Sequence, residues 1–255
     1  MPDATDPTVP IESIDAIGAD RTALLRICRG LTAEQWRAPS GCAGWTVQDL
    51  VTHLGNLFWL VVDAGQLPDT TGVPTEHAQQ TGVEARRGLS PADVLADYEK
   101  VSQLGMTTLA ELAALDAEIP LGEDFGTYST RVIPCAYVFD HYIHIRADLF
   151  APRGPLTGEP PTSDELRVGP TLDWIEAALP QQNRSVADEC TLEIQVTGIG
   201  ARLIRFGSGQ ATATIRSGVP ALVRWITGRG EWAGLGVQAT GDERALAAAR
   251  TLKVF

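Results

Sequence analysis

Lysine is nearly missing from this 255-residue chain: Lys100 and Lys253 are the only two, so almost all positive charge is arginine. That bias is compositional and carries no mechanism. Positive charge is scarce overall as well, with 20 Lys and Arg against 32 Asp and Glu, a formal net charge of −12. Such a balance repels phosphate backbones and argues against nucleic acid as the main partner. Long apolar runs are also lacking. No stretch approaches the roughly 20 apolar residues that a membrane-crossing helix requires, so no membrane partner is expected. The start, MPDATDPTVP, has neither the basic residues nor the apolar core of a signal peptide, and a cytoplasmic location is the expectation. Cysteine is sparse and scattered: Cys28, Cys42, Cys135 and Cys190 form no CxxC pair and no disulfide framework, so they read as reduced thiols.

The patterning that is present divides the chain in two, at about residues 1–155 and 156–255. Ile14, Ile17, Leu24, Leu25 and Ile27 recur at helical spacing and predict a first helix from about Ile11 to Leu31. Thr46 after the Gly41 to Trp45 turn is an N-cap, with Asp49 three residues on. The helix that follows has a stripe of Leu50, Leu54, Leu57, Phe58 and Val61, and His53 falls within it, facing inward. Pro68 to Gly88 lacks a sustained period and reads as a long surface connection. Ser90-Pro91-Ala92-Asp93 opens a third helix, reaching about Ala117, and a loop follows over Ile119 to Thr127. Arg131 to Phe150 is apolar on all sides, the signature of a buried helix.

Beyond a Pro/Gly-rich linker, Ala151 to Pro161, a helix is expected from about Asp164 to Leu179, with a possible break at Gly169-Pro170. From Cys190 the composition turns to short β-type runs, TLEIQV, ARLIRF and ATATIR, separated by glycine turns. They read as an antiparallel meander. A short helix over Pro220 to Ile226, a strand over Val237 to Thr240 and a closing helix over Asp242 to Leu252 complete an α+β second domain.

The polar exceptions in the buried helix are informative. Asp140 and His144 lie four residues apart, on one face and one turn from each other. Unpaired in an apolar bundle they would cost several kcal/mol; a divalent cation would satisfy them. His53 from another helix completes a His/His/carboxylate set with open positions, as in catalytic zinc sites. The plain alternative stands beside this: His53 as a hydrogen-bonded core histidine, and an Asp-x-x-x-His pair arising by chance. His141 points about 100° away from Asp140 and reads as packing or surface. Asp148 continues the Asp140/His144 face as an outer partner or a cap, and His77 in the long connection reads as solvated.

Two segments carry a family resemblance: Pro39-Ser-Gly-Cys-Ala-Gly-Trp45-Thr46-Val-Gln-Asp49-Leu-Val-Thr-His53-Leu, and Asp140-x-x-x-His144-x-x-x-Asp148-Leu149. Together they resemble the mycothiol-dependent maleylpyruvate isomerase-like proteins, whose fold is a DinB-like four-helix bundle. The tail, through Pro220-Ala-Leu-Val-Arg-Trp225-Ile-Thr-Gly228-Arg229 and Thr240-Gly241-Asp242, is similar to the family's sterol-carrier-like C-terminal domain. The resemblance implies an α+β multidomain protein with His53, Asp140 and His144 as metal ligands, although the family isomerase has glutamate where this chain has Asp140.

It further implies a divalent metal, with zinc the expectation, and mycothiol as co-substrate. The activity implied is isomerisation or S-transfer on a small electrophile, in a monomer or dimer. The physical reason is that a metal-bound thiol is deprotonated, and the thiolate is the nucleophile. Anionic ligands call for arginine donors, for which Arg229 and Arg224 are the candidates. Trp45 and Trp59 are candidate walls of the thiol pocket near His53. A small-molecule or lipid-binding module, or a regulatory metal-binding protein without catalysis, are the competing readings.

Overall fold

The computed structural model describes residues 9–123, 125–188 and 190–255, without the side chains of residues 9–11. The N-terminal stretch read above as lacking a signal peptide thus lies mostly outside the described residues. Helix α1 (Val9–Arg29) is followed by a short α2 (Ala33–Arg37), started by a Thr32/Gln35 capping box. Helix α3 (Val47–Val62) begins as the sequence predicts: Thr46 accepts from the Asp49 amide, and Asp49 accepts from the Thr46 amide. These reciprocal bonds satisfy amide donors that no helical carbonyl reaches.

The long connection is not irregular throughout. It contains a helix, α4 (Thr75–Glu84), which the sequence reading missed because only Gly82 and Val83 of its residues are buried, too few to make an apolar stripe. Helix α5 (Pro91–Ala113) has the expected Ser90/Asp93 box and proline at its first turn. The expected loop after it contains a small hairpin, β1 (Glu118–Pro120) and β2 (Thr127–Ser129).

Helix α6 (Ile133–Ile143) is buried nearly all round, and it passes into a π-helical turn at His144–Asp148. Helix α7 (Glu165–Gln182) starts at an Asp164 N-cap and runs on through Gly169 and Pro170 without a break. Helices α1, α3, α5 and α6 form the bundle, with α3 on α5 and α1 against both α5 and α6. α7 packs on α1 and α6 and also reaches the later strand Arg202–Phe206.

An ion cluster fixes this junction. Asp20 of α1, fully buried, accepts from Arg146 of the π turn at 2.9 and 3.0 Å and from Arg167 of α7 at 2.6 Å. Arg167 also bonds Asp164. Two guanidinium groups on one buried carboxylate offset the cost of removing charge from water, and removal of either partner would strand the other.

After α8 (Arg184–Ala187) the chain forms a four-stranded sheet from β3 (Leu192–Thr197), β4 (Arg202–Phe206), β5 (Ala213–Gly218) and β6 (Gln238–Gly241), in the order β4-β3-β5-β6. The expected meander is therefore corrected. β4 pairs antiparallel with β3, but β5 crosses to the other edge of β3 and runs parallel to it, Leu192 opposite Ala213. Gly207 makes the crossing possible: its φ is +81°, and a Cβ there would lie 2.3 Å from the Cys190 carbonyl oxygen.

Helix α9 (Val219–Ile226) packs beneath β3 and β5, α10 (Trp232–Leu235) adjoins it, β6 pairs antiparallel with β5, and α11 (Glu243–Ala249) closes the chain from an Asp242 N-cap. The fold is a helical bundle joined to a small α+β sheet domain. No helix among the described residues is long and apolar enough to cross a membrane.

Candidate active site

His53 sits in the middle of α3, almost wholly buried, and Asp140 and His144 approach it from the end of α6. The two imidazoles meet edge to face with ring centroids 5.0 Å apart, and His144 Nε2 is 3.7 Å from Asp140 Oδ1. One ligand atom from each of the three residues falls within 4.8 Å of the others. Three bonds of about 2 Å to a single ion need only a modest drawing-in from there.

The outer ring nitrogens are already committed. His144 Nδ1 is 2.8 Å from Asp148 Oδ2, and His53 Nδ1 is 3.1 Å from Gln79 Oε1. A carboxylate and an amide carbonyl can only accept, so each ring carries a proton on Nδ1; neutral His53 offers its Nε2 lone pair to the shared space, and His144 does so once a cation displaces its Nε2 proton. Metal-binding histidines are held in this manner. The donor set of two imidazoles and a carboxylate, with room for further ligands, fits zinc or a similar divalent ion.

The charge states of the two rings differ. Burial, aided by the nearby His144, pushes His53 down to about 4, so it is neutral near pH 7. Burial also opposes charge on His144, but the bond to Asp148 and the neighbouring Cys42 outweigh it and hold the ring up to about 10. For Asp148 burial would favour the protonated acid; bonds from His144 and Arg229 prevail and keep its carboxyl well below the usual carboxylate range.

Asp148 is the organising group of this side. Its side chain is fully buried in the π turn, and it accepts from Arg229 Nε at 2.9 and 3.0 Å, from Arg229 Nη2 at 2.6 Å and from Arg153 Nε at 3.4 Å. A π turn inserts one extra residue into the helical ladder, a device frequent at functional sites. The Gly41 backbone packs directly against it: the Gly41 amide donates to the Asp148 carbonyl at 2.7 Å, and a Cβ at Gly41 would lie 2.8 Å from the Asp148 Cα.

That close approach delivers Cys42. Its thiol donates to Asp148 Oδ2 at 3.3 Å and lies 3.6 Å from His144 Nδ1. Cys42, His144 and Asp148 also lie close enough to hold a metal, but the Arg229 guanidinium already occupies the carboxylate there, and a second cation would meet like charge.

The sequence candidates separate cleanly. Trp45 lies on the site, its ring 5.0 Å from that of His53 and its Nε1 donating to Gln80 at 2.6 Å. Trp59 does not: its indole donates to Asp97, packs under Arg86, and forms no part of the cleft. It lies six residues along α3 from His53, about 240° round the helix and so on a different face. Arg229 lies just past the end of α9, beyond a Thr227-Gly228 turn, and lines the cleft. Arg224 stays within α9, bonded to the Arg229 carbonyl at 3.4 Å, and is not among the cleft residues.

His141 is fully buried, bonded to the Tyr137 carbonyl and the Tyr98 hydroxyl. His77 is exposed at the cleft rim. Sequence reading missed Cys42 and Gln79. The signal for Cys42 was its place beside Gly41 in the turn that caps the His53 helix; α4 had no signal strong enough to bring Gln79 forward.

The cleft has a volume of about 1010 Å3 and runs from Trp45, His53, Asp140 and His144 past Arg229 to Gln181, Phe125 and Phe255. Both halves of the chain thus form its walls. Residues 17–149 match the family described as the mycothiol maleylpyruvate isomerase N-terminal domain. The chain belongs to this family. Its fold is similar to the crystal structure of the mycothiol-dependent maleylpyruvate isomerase, with 18% identity and a TM-score of 0.59 over 91% of this chain and 94% of that one. A histidine-to-alanine mutant of the same enzyme matches with 17% identity and a TM-score of 0.58 over the same shares. No curated protein matches the chain.

Proposed function

We propose that the protein is a mycothiol-using isomerase or S-transferase that acts on a small electrophile at a metal site formed by His53, Asp140 and His144. What supports this reading above all is the convergence of those three side chains on one wall of a cleft that Arg229 also lines, in a member of this family. A divalent ion held there, with zinc the best fit, would keep a thiol in an open coordination position deprotonated and nucleophilic at neutral pH.

The chain's own groups supply the rest. Gln79 holds neutral His53 in the tautomer that presents Nε2, and Asp148 accepts from His144 Nδ1, so that this ring presents Nε2 to a metal by giving up the proton there. Asp148 anchors Arg229 at the cleft, and because Nη1 of Arg229 spends only one N–H on the Thr227 carbonyl, a donor remains for an anionic group of thiol or substrate. Trp45 covers His53 and keeps water from that side.

In an isomerisation the thiol sulfur bonds to one carbon of a cis double bond while the electron pair moves onto the conjugated carbonyl. Rotation about the new single bond follows. Return of the electron pair then expels the sulfur and leaves the trans product, with the thiol regenerated. In an S-transfer the carbon–sulfur bond persists and the carbanion takes up a proton from water, which balances the one the thiol lost. Small-molecule thiol and electrophile are thus the partners of this reading. The test is mass spectrometry of products formed by metal-loaded protein with mycothiol and a panel of electrophiles. A thiol adduct or a cis-to-trans product is expected; neither, with the metal in place, removes the enzyme reading.

A further inference from the structure

We propose that Gln79 is the positioning residue that sets His53 up as a metal ligand, so that docking of α4 and retention of the metal are coupled. The inference rests on the reading of His53, Asp140 and His144 as a metal site. The His53 ring has two nitrogens and needs a lone pair on Nε2, toward Asp140 and His144. Only an acceptor at Nδ1 enforces that tautomer, and the one within reach is Gln79 Oε1 at 3.1 Å. Trp45, as close to the ring as His144, gives a face without a directional acceptor.

Gln79 comes from outside the bundle. Its helix, α4, packs chiefly on α3, and it comes close at Gly82, where a Cβ would stand 3.1 Å from Asn56 Nδ2. The Asn56 amide, buried one turn beyond His53, has no hydrogen-bond partner of its own, so the polar bonds of this contact are concentrated at the site end. There Gln79 holds His53 and Gln80 holds Trp45 Nε1. Gln79 is also the wall between the main cleft and a second cavity of about 620 Å3 between α3 and α4. Among the described residues Gln79 makes the hydrogen bond that braces this histidine, whereas His144 is braced by a carboxylate fixed by two arginines.

The experiment compares Zn(II) and Co(II) affinity, by competition with a chromogenic chelator, in the unaltered protein, Gln79→Ala and Gln79→Glu. Loss of such an outer partner weakens metal binding about 10- to 100-fold, the effect expected in Gln79→Ala. Gln79→Glu still accepts from Nδ1 and should stay within a few-fold, with an unchanged Co(II) absorption spectrum. Thermal unfolding of each variant verifies the fold. In metal-free protein, 15N chemical shifts of the His53 ring should show the proton on Nδ1 and, in Gln79→Ala, a mixture of tautomers. Undiminished affinity in folded Gln79→Ala, or a proton on Nε2 in the unaltered protein, overturns the proposal while leaving the metal site itself standing. If the unaltered protein binds neither ion, the metal-site reading falls and the inference falls with it.

Discussion

His53 and His144 face each other across 5.0 Å, yet the protein holds them in opposite ways. His144 sits in a π turn, bonded to a buried carboxylate that Arg229 and Arg153 also grip, with Cys42 beside it. His53 sits in a regular helix and, among the described residues, has one side-chain hydrogen bond, to an amide on a peripheral helix. One ring is overdetermined and charged when free of metal; the other is neutral and depends on one contact. A site built this way has a rigid half and an adjustable half. The rigid half joins the bundle to the sheet domain through Arg229, and the adjustable half lies under α4.

The rigid half is where breaking the comparison costs most. Asp148→Ala leaves Arg229 and protonated His144 without their buried counter-charge, and losing one partner of such a pair costs about 3–5 kcal/mol. Chemical denaturation should register that loss, and Arg229 should no longer be held at the cleft. Gly41→Ala comes next: its Cβ meets the Asp148 backbone, and relief of such overpacking typically costs about 1–3 kcal/mol. The same variant moves Cys42 from Asp148, so the rate at which a thiol reagent labels Cys42 should change.

The two rings should also pull stability in opposite directions with pH. His144, raised to about 10, stabilises the metal-free fold fully below its unfolded value near 6.5, and that stabilisation fades as pH climbs toward 10. His53, lowered to about 4, works the other way: between pH 6.5 and 4 the unfolded chain takes up a proton that the folded one refuses, and stability falls with pH. Their sum predicts a maximum near pH 6.5, measurable as a peak in metal-free melting temperature. A monotonic rise from pH 5 to 9 would contradict it. The smallest effect is reserved for Trp59→Phe, which loses the bond to Asp97 for about 1 kcal/mol and leaves metal affinity untouched.

Much of this was legible in the sequence where local chemistry decides local structure. The Thr46/Asp49 and Ser90/Asp93 boxes mark helix starts because each side chain satisfies an amide within three residues. His53, Asp140 and His144 stand out because a polar residue in an apolar helix needs a partner. The rest depends on contacts that no window of sequence contains. Helix α4 forms from TEHAQQTGVE, which has no apolar stripe, because it docks on α3 with Gly82 against Asn56. The side of β3 on which β5 pairs is set by the crossing at Gly207, and a glycine turn reads alike for a meander and a crossover. Trp59 and Arg224 sit on the right elements, but on faces turned elsewhere. Cys42 becomes visible only once the Gly41 turn is laid against a π turn more than a hundred residues away.

The most direct measurement is the metal content of purified protein after equilibrium dialysis against Zn(II), for the unaltered chain and for His53→Ala and His144→Ala. The account predicts about one equivalent in the first and loss of binding in both variants, each still folded. A full equivalent retained in either variant would show that these histidines do not share an ion.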